Sequence, residues 1–241
     1  LDEDVLKEMM PYLTNKYGNA SSIYKLGRES RKAVEDAREK IAEAINAEPE
    51  EIYFTAGGSE SDNTILRGIA YSYKEKGNHI ITSKIEHPAI LETCKQLEKE
   101  GFEISYVGVD KNGIINLEEL ENLIKENTIL ISIMFANNEI GTIQPVEKIG
   151  KIAKRHNIIF HTDAVQAVGS VKIDVKQMDI ASLSMSAHKF YGPKGIGALY
   201  VKKGIRFQKF INGGHQEKNK RAGTENVPAI VGMGKAIELA Y

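Results

Sequence analysis

Residues 182–201 read Ser-Leu-Ser-Met-Ser-Ala-His-Lys-Phe-Tyr-Gly-Pro-Lys-Gly-Ile-Gly-Ala-Leu-Tyr-Val and place Lys189 between two apolar runs. The runs Ile180–Met185 and Ile196–Val201 predict strands. The glycines and proline between them predict a fixed, irregular loop. A lysine on such a loop should be poorly solvated, which lowers its pKa and favours attack on a carbonyl to form a Schiff base. Taken alone, Lys189 is better explained as an ordinary solvated lysine, so other residues must decide.

The composition is that of an ordinary globular protein. The chain has 241 residues, of which 41% are hydrophobic and 27% charged. A net charge of -1 gives no electrostatic reason to expect nucleic acid or an anionic membrane as partner. No apolar run approaches the roughly 18 residues of a transmembrane helix. The single cysteine, Cys94, excludes an internal disulfide and fits a reducing cytoplasm.

Strand and helix patterns alternate along the chain, which predicts one α/β domain with a mainly parallel sheet and helices on both faces. Before the strands around Lys189, the predicted strands are Ile52–Thr55, His79–Ser83, Phe102–Val109, Thr128–Phe135 and Ile158–Thr162. The predicted helices are Arg28–Ala47, Glu60–Lys76, Pro88 to near Gly101, Leu117–Glu126, Val146–His156 and one from about Val227. Leu1 falls inside a helical pattern and the last helix is apolar to its end, so we expect a fragment of a longer protein.

Polar clusters follow the predicted strands, at the edge where ligands collect in such sheets. In Thr55-Ala-Gly-Gly-Ser-Glu60, glycines and a helix start could cradle a phosphate. The segment matches neither nucleotide-binding glycine motif, and a plain helix cap explains it equally well. Asp163 ends another strand and needs a partner if it is buried, although it could simply cap the next turn. Gln166, three residues on, could reach the same ligand.

Two other kinds of site have weaker support. His161, Asp163 and His188 could be metal ligands, but no cysteine or Glu-x-x-His pattern accompanies them. A serine hydrolase of the Gly-x-Ser-x-Gly type requires a nucleophile motif that the sequence lacks.

Several motifs, in order, resemble those of the cysteine desulfurases, within the class V aminotransferase group of fold-type I pyridoxal phosphate enzymes. They are Tyr17-Gly-Asn19 with Ser21-Ser22, Thr55-Ala-Gly-Gly-Ser-Glu-Ser-Asp-Asn63, Glu86-His87, Ala136-Asn-Asn-Glu-Ile-Gly-Thr142, Asp163-Ala-Val-Gln166, Ser186-Ala-His-Lys189 and Arg221-Ala-Gly-Thr-Glu-Asn226. The resemblance implies that Lys189 binds pyridoxal 5′-phosphate as a Schiff base and later moves a proton at the substrate α-carbon. It also implies no metal.

The resemblance gives the other site residues their expected roles. Asp163 would pair with the pyridinium nitrogen, Gln166 would bond the phenolic oxygen, and His87 would stack on the ring, with Asn138 near ring and substrate. Four residues would hold the phosphate: Gly58, Ser59, Ser186 and His188. Thr224 would reach the phosphate of a partner subunit, which implies a homodimer.

The implied fold is a three-layer α/β sandwich with a mainly parallel seven-stranded sheet, residues 1–241 forming the large cofactor-binding domain. The family's N-terminal strand segment and its C-terminal small domain, with the catalytic cysteine loop, are expected to lie outside this chain. The implied reaction converts L-cysteine to L-alanine and supplies persulfide sulfur to an acceptor scaffold protein for iron–sulfur cluster or thio-cofactor assembly. A selenocysteine lyase, another class V enzyme and a non-catalytic dimerisation scaffold stay open as alternatives.

Cys94 is not expected to be the sulfur-accepting nucleophile. Ile90, Leu91, Cys94 and Leu97 fall on one face of the helix that begins near Pro88, so the thiol should pack toward the sheet. Burial would raise its pKa. We therefore expect the 241-residue chain alone to bind cofactor without releasing sulfide from cysteine at an enzymatic rate.

Overall fold

A computed structural model describes all 241 residues and contains a single seven-stranded sheet. Its strands are β1 (Ile52–Thr55), β2 (His79–Ser83), β3 (Glu103–Val107), β4 (Thr128–Ser132), β5 (Ile159–Asp163), β6 (Ser182–Ser186) and β7 (Gly197–Val201). The helices are α1 (Glu3–Leu13), α2 (Lys25–Ala44), α3 (Gly58–Ser72), α4 (Pro88–Lys99), α5 (Leu117–Asn122), α6 (Val146–Arg155), α7 (Gln216–Asn219) and α8 (Val227–Ala240). Of these, α7 is only a short turn, whose last three residues have left-handed backbones. None of these helices is both long and apolar enough to span a bilayer.

The sheet has the strand order β1-β7-β6-β5-β4-β2-β3, and β7 alone runs against its neighbours. The pairs β2–β3, β2–β4, β4–β5 and β5–β6 are all parallel. Parallel strands need crossover connections, and helices occur in these connections except between β5 and β6, where residues 164–181 contain no helix. The mainly parallel seven-stranded sheet is therefore confirmed.

Helices cover both faces of the sheet and bury two separate apolar cores. On one face, α3 and α4 contribute Ile65, Leu66, Ile90 and Leu97 to a core of 15 buried residues. On the other face, the larger core of 45 residues includes side chains of α1, α2, α5, α6 and α8. Central strands such as β4 and β6 are buried along their whole length because both faces are covered. The three-layer sandwich predicted from the sequence is confirmed.

Several element boundaries differ from those predicted. The helix predicted from Glu60 begins at Gly58, since Gly57 at φ 148° provides a sharp entry that only glycine adopts readily. The strand predicted to reach Phe135 ends at Ser132, although the backbone continues buried beside Asp163. The helix predicted over Leu117–Glu126 ends at Asn122.

Candidate active site at the carboxyl edge of the sheet

A cavity of about 190 Å³ lies at the carboxyl ends of β4, β5 and β6 and beside the start of α3. Nine of the ten predicted site residues line it: Gly58, Ser59, His87, Asn138, Asp163, Gln166, Ser186, His188 and Lys189. Met134, Ala136 and Val165 add the apolar part of the wall, and Asp62 completes it. The structure thus brings together side chains that are separated by more than 100 positions in the sequence.

The first turn of α3 forms one end of this cavity. A side chain could not be added at Gly58, because its Cβ would lie 2.6 Å from Val165 Cγ2. Without that Cβ, a ligand can approach the backbone N–H groups at the helix start, where the helix dipole favours an anion. Ser59 is exposed at the same turn and offers a hydroxyl. This end of the cavity has the chemistry of a phosphate site.

Ser186 and His188 face this anion-binding end from the other side. Ser186 ends β6, and its Oγ lies 2.9 Å from His188 Nδ1 in a hydrogen bond. Burial lowers the pKa of His188, and the charges of Lys189 and Lys194 act in the same direction. The ring is therefore suited to bonding a ligand oxygen as a neutral donor rather than by its charge.

Lys189 lies in the single 3₁₀ turn Ala187–Phe190 that follows β6. The turn ends at Tyr191, whose left-handed backbone (φ 62°) fixes the irregular loop predicted here. The Lys189 side chain itself is exposed. The prediction that this lysine is poorly solvated is wrong for the single chain, because the flanking strands are buried while the turn between them opens into the cavity.

Asp163 is the last residue of β5 and is only 6% exposed. One carboxyl oxygen, Oδ1, accepts a hydrogen bond of 2.9 Å from the backbone N–H of Val165. Burial raises the pKa of Asp163, whereas that hydrogen bond and the charges of His87 and Lys189 lower it. A buried carboxyl group with so few partners is suited to pairing with a cationic ligand atom.

His87 and Asn138 occupy the rim of the cavity. His87 caps α4, because its Nδ1 accepts a hydrogen bond of 3.1 Å from the backbone N–H of Ala89. That bond leaves the proton of a neutral ring on Nε2. Asn138 is exposed, whereas its neighbour Asn137 is buried and forms the turn through bonds to Ile85, Glu139 and Ile140.

Two buried acids lie beside the site, Asp62 and Glu86, for which the sequence motifs predicted no role. Asp62 is 1% exposed and lies one helical turn after Gly58, so its position on the cavity side of α3 follows from i, i+4 spacing. Glu86 is 4% exposed, and its Oε1 accepts bonds from the Ser83 hydroxyl and the Met134 backbone N–H. The sequence feature that could have indicated Asp62 as a site residue is its position as an acidic residue on the buried face of a predicted helix.

Thr224 is the predicted site residue that the structure does not bring into the cavity. It is exposed in the loop before α8, beside Tyr17 and Asn19 on one side and Thr55 on the other. Arg221 ties this loop to α3 through bonds of 3.0 and 3.3 Å to the carboxylate of Glu60. Thr224 is therefore exposed on the surface of the chain.

His161 does not have the surroundings expected of a metal ligand. Its ring is fully buried, with Nδ1 2.9 Å from Ser132 Oγ and Nε2 3.0 Å from Ser184 Oγ. Burial lowers the pKa of His161 to about 3, so the ring is neutral. Two serine hydroxyls thus occupy both ring nitrogens, and no group of three or more histidine, cysteine, aspartate or glutamate side chains is arranged to hold a metal ion.

Residues 1–240 match the aminotransferase class-V family. The chain belongs to this family. It is 60% identical over 237 residues to a cysteine desulfurase IscS of Clostridium botulinum, a match that covers 98% of this chain and 60% of that protein. A cysteine desulfurase IscS of Methanosarcina thermophila is 58% identical over 238 residues, covering 99% of this chain and 59% of that protein. The chain therefore spans about 60% of the length of these curated relatives.

Solved structures give the same result. A NifS-like protein superimposes with a TM-score of 0.98 at 46% identity, over 100% of this chain and 66% of that one. A structure of SspA in complex with cysteine gives a TM-score of 0.96 at 44% identity, over 99% of this chain and 69% of that one. The resemblance to cysteine desulfurases, the fold class and pyridoxal phosphate as the family's cofactor are thereby confirmed.

The cavity fits that cofactor. The glycine cradle at the start of α3 offers an anion site for a phosphate, and buried Asp163 offers a partner for a ring cation. Lys189 supplies a primary amine in the same cavity.

Proposed function

We propose that this chain is the cofactor-binding part of a cysteine desulfurase, which converts L-cysteine to L-alanine and transfers the sulfur as a persulfide. Residues 1–241 would form its large pyridoxal phosphate-binding domain. The observation that carries the proposal is the placement of three chemistries in one cavity: an anion cradle at Gly58, a buried carboxyl at Asp163 and a primary amine at Lys189.

Different residues of the cavity would hold different parts of the cofactor. Gly58, Ser59, Ser186 and His188 would bind its phosphate through backbone N–H groups, hydroxyls and a neutral ring. Asp163 would keep the ring nitrogen protonated, and Gln166 would donate to the phenolic oxygen. His87 would cover one ring face, with Asn138 at the substrate side.

When bound, pyridoxal phosphate supplies an electron sink for bond changes at the substrate carbons. Lys189 would anchor the cofactor through its Nζ and would then take and return the proton of the substrate α-carbon. Its exposed position in a short, fixed turn suits this role, because the amine has to reach both the cofactor and the substrate. The complex of SspA with cysteine supports L-cysteine as substrate, since SspA shares the fold of this chain at 44% identity.

We further propose a homodimer that works in the cytoplasm and passes sulfur to an acceptor scaffold protein. Tyr17, which lines the same surface cavity as Thr224, is 78% exposed, and Ile23, six residues further along the chain, is 85% exposed. Such residues are commonly covered by a partner. The lone buried cysteine is compatible with a reducing compartment.

The first prediction tests cofactor binding. Purified protein mixed with pyridoxal phosphate should turn yellow, and borohydride reduction followed by peptide mapping should place the adduct on Lys189. Lys189→Ala should keep the fold, as judged by circular dichroism, and yield no reduced adduct, because the anchoring amine is gone. A folded wild-type protein that stays colourless with added cofactor, or an adduct on another lysine, contradicts the proposal.

A further inference from the structure

Asp62 lines the cofactor cavity without a partner of its own. Its side chain lies on the buried face of α3, one turn after the phosphate cradle, and is 1% exposed. Neither carboxyl oxygen accepts a hydrogen bond from a neighbouring donor. Buried carboxyl oxygens without partners are rare and costly, so this group needs an explanation beyond packing.

The nearest basic group does not provide a counter-charge. His161 Nε2 lies 3.8 Å from Asp62 Oδ1, but the ring already bonds Ser132 and Ser184 and is neutral at physiological pH. An ion pair between Asp62 and His161 is therefore excluded. If Asp62 were ionised, its charge would be buried and uncompensated, which is strongly unfavourable.

The remaining charged neighbours are acids. Burial raises the pKa of Asp62 well above its usual range, and the charges of Asp163 and Glu86 raise it further. The Ser184 hydroxyl opposes this shift but does not lie in satisfactory hydrogen-bonding geometry. A protonated Asp62 would carry one O–H donor in need of an acceptor.

Asp163 lies in the same cavity and offers a possible acceptor. His161 and Asp163 stand two residues apart on β5 and so point to the same face of the sheet, the face that α3 and Asp62 cover. Asp62 and Asp163 line the same cavity, and only Oδ1 of Asp163 receives a hydrogen bond, from Val165. The second oxygen of Asp163 is free to accept.

We propose that Asp62 is a positioning residue: a protonated carboxyl group that donates a hydrogen bond to the Asp163 carboxylate and orients it toward the cofactor ring. Two buried carboxyl groups that share one proton carry a single negative charge, which matches one ring cation. The consequence for the cofactor rests on the proposed function, whereas the hydrogen bond itself does not.

Infrared difference spectroscopy of the cofactor-free protein tests the hydrogen bond directly. At neutral pH the wild type should show the C=O stretch of a protonated carboxyl group that disappears in Asp62→Asn. Glu86→Gln is the control, since Glu86 is a second buried acid and its removal should leave the Asp62 band in place. A spectrum in which Asp62→Asn loses only carboxylate bands overturns the proposal.

Cofactor binding tests the positioning role with a pair of variants of similar size. Asp62→Asn keeps a neutral donor and should bind pyridoxal phosphate as the wild type does, with the same pH profile. Asp62→Leu removes the donor and should weaken binding by about 10- to 100-fold, the loss expected for one hydrogen bond to a charged group. Equal weakening in both variants, or in neither, overturns the proposal.

The two readouts separate this inference from the proposed function. A wild-type protein that binds no pyridoxal phosphate would contradict the proposed function, while the infrared bands would still report the protonation of Asp62. Circular dichroism of each variant distinguishes lost binding from lost folding, and Asp62→Asn is the conservative substitution expected to fold normally.

Discussion

At the scale of single residues, the buried acids around the cavity are expected to make stability depend on pH. Glu86 shows this most clearly, since burial raises its pKa to about 8, against the bonds from Ser83 and Met134 that lower it. A carboxyl group whose pKa is higher in the folded than in the unfolded state favours folding only while it is protonated. Its contribution is complete below the unfolded pKa of about 4.3 and is lost as the pH rises through about 8.

We therefore predict that the free energy of unfolding of the wild type falls relative to that of Glu86→Gln between pH 5 and pH 8.5 (roughly 3–5 kcal/mol over the full range). Urea unfolding of both proteins across this range gives the difference directly. Glu92→Gln is the matched control, because Glu92 is exposed on α4 and should show no such trend. A constant difference between wild type and Glu86→Gln would show that Glu86 is ionised in the folded state throughout.

At the scale of elements, helix α4 determines what the only cysteine can do. Ile90, Cys94 and Leu97 are fully buried on the face of α4 that packs toward the sheet, as helical spacing predicted. Burial raises the pKa of Cys94 to about 12, and the charges of Glu86 and Glu98 act in the same direction. A thiol with so little thiolate in mid-helix is a poor nucleophile.

We predict that Cys94 reacts with a disulfide reagent at pH 7.5 only as fast as the protein opens locally, orders of magnitude more slowly than a free thiol. The matched control is Glu92→Cys in a Cys94→Ala background, which places a thiol two residues away on the exposed face of the same helix. Cys94→Ala should also leave pyridoxal phosphate binding unchanged. Rapid labelling of Cys94 in the folded protein, or sulfide release from cysteine that Cys94→Ala abolishes, would contradict this account.

The helices and strands also show which features of the fold can be predicted from sequence patterns. Alternating apolar runs predicted all seven strands and their parallel majority, because buried strands and amphipathic helices leave strong local signals. Strand β7 follows β6 after a loop of ten residues and pairs antiparallel with it. This arrangement depends on the loop around Lys189 rather than on the run Gly197–Val201 itself. The exposure of Lys189 escaped prediction for a related reason: burial of flanking strands says little about a turn that opens into a cavity.

Motifs predicted the lining of the site better than its support. Nine predicted residues share the cavity since each ends or follows a strand whose carboxyl end lies at the same edge. Asp62 and His161 have no such local signature, as their importance depends on Ser132 and Ser184 in neighbouring strands. Those long-range contacts cannot be inferred from one sequence without the sheet order.

At the scale of the whole molecule, the position of Thr224 bears on whether one chain can complete a site. Its loop is fixed from within by two contacts, the Arg221–Glu60 pair and the buried pair of Arg38 with Glu217, whose atoms lie 2.8 to 2.9 Å apart. Glu217, Lys218 and Asn219 have left-handed backbones, which are unfavourable for the first two residue types and need such anchoring. A loop this well fixed, with Thr224 exposed at its end, is suited to reaching a second subunit.

We predict that Thr224 completes the cavity of a partner chain, which mixed dimers can test. Thr224→Ala alone should bind pyridoxal phosphate about 10-fold more weakly, the loss of one hydrogen bond to a charged group. Lys189→Ala alone should give no adduct after borohydride. When the two variants are unfolded together and refolded, each mixed dimer should regain one cavity with an intact Lys189 and the partner's intact threonine.

Titration of the refolded mixture with cofactor, followed by borohydride trapping, should therefore show a class of sites with wild-type affinity, at up to one per mixed dimer. If Thr224 instead served its own subunit, every chain with Lys189 would lack the threonine, and no wild-type site could appear at any mixing ratio. Co-purification of an untagged Lys189→Ala chain with a tagged Thr224→Ala chain from the refolded mixture shows whether exchange of chains took place. Restored tight sites would thus demonstrate both the dimer and the direction in which the Thr224 loop points.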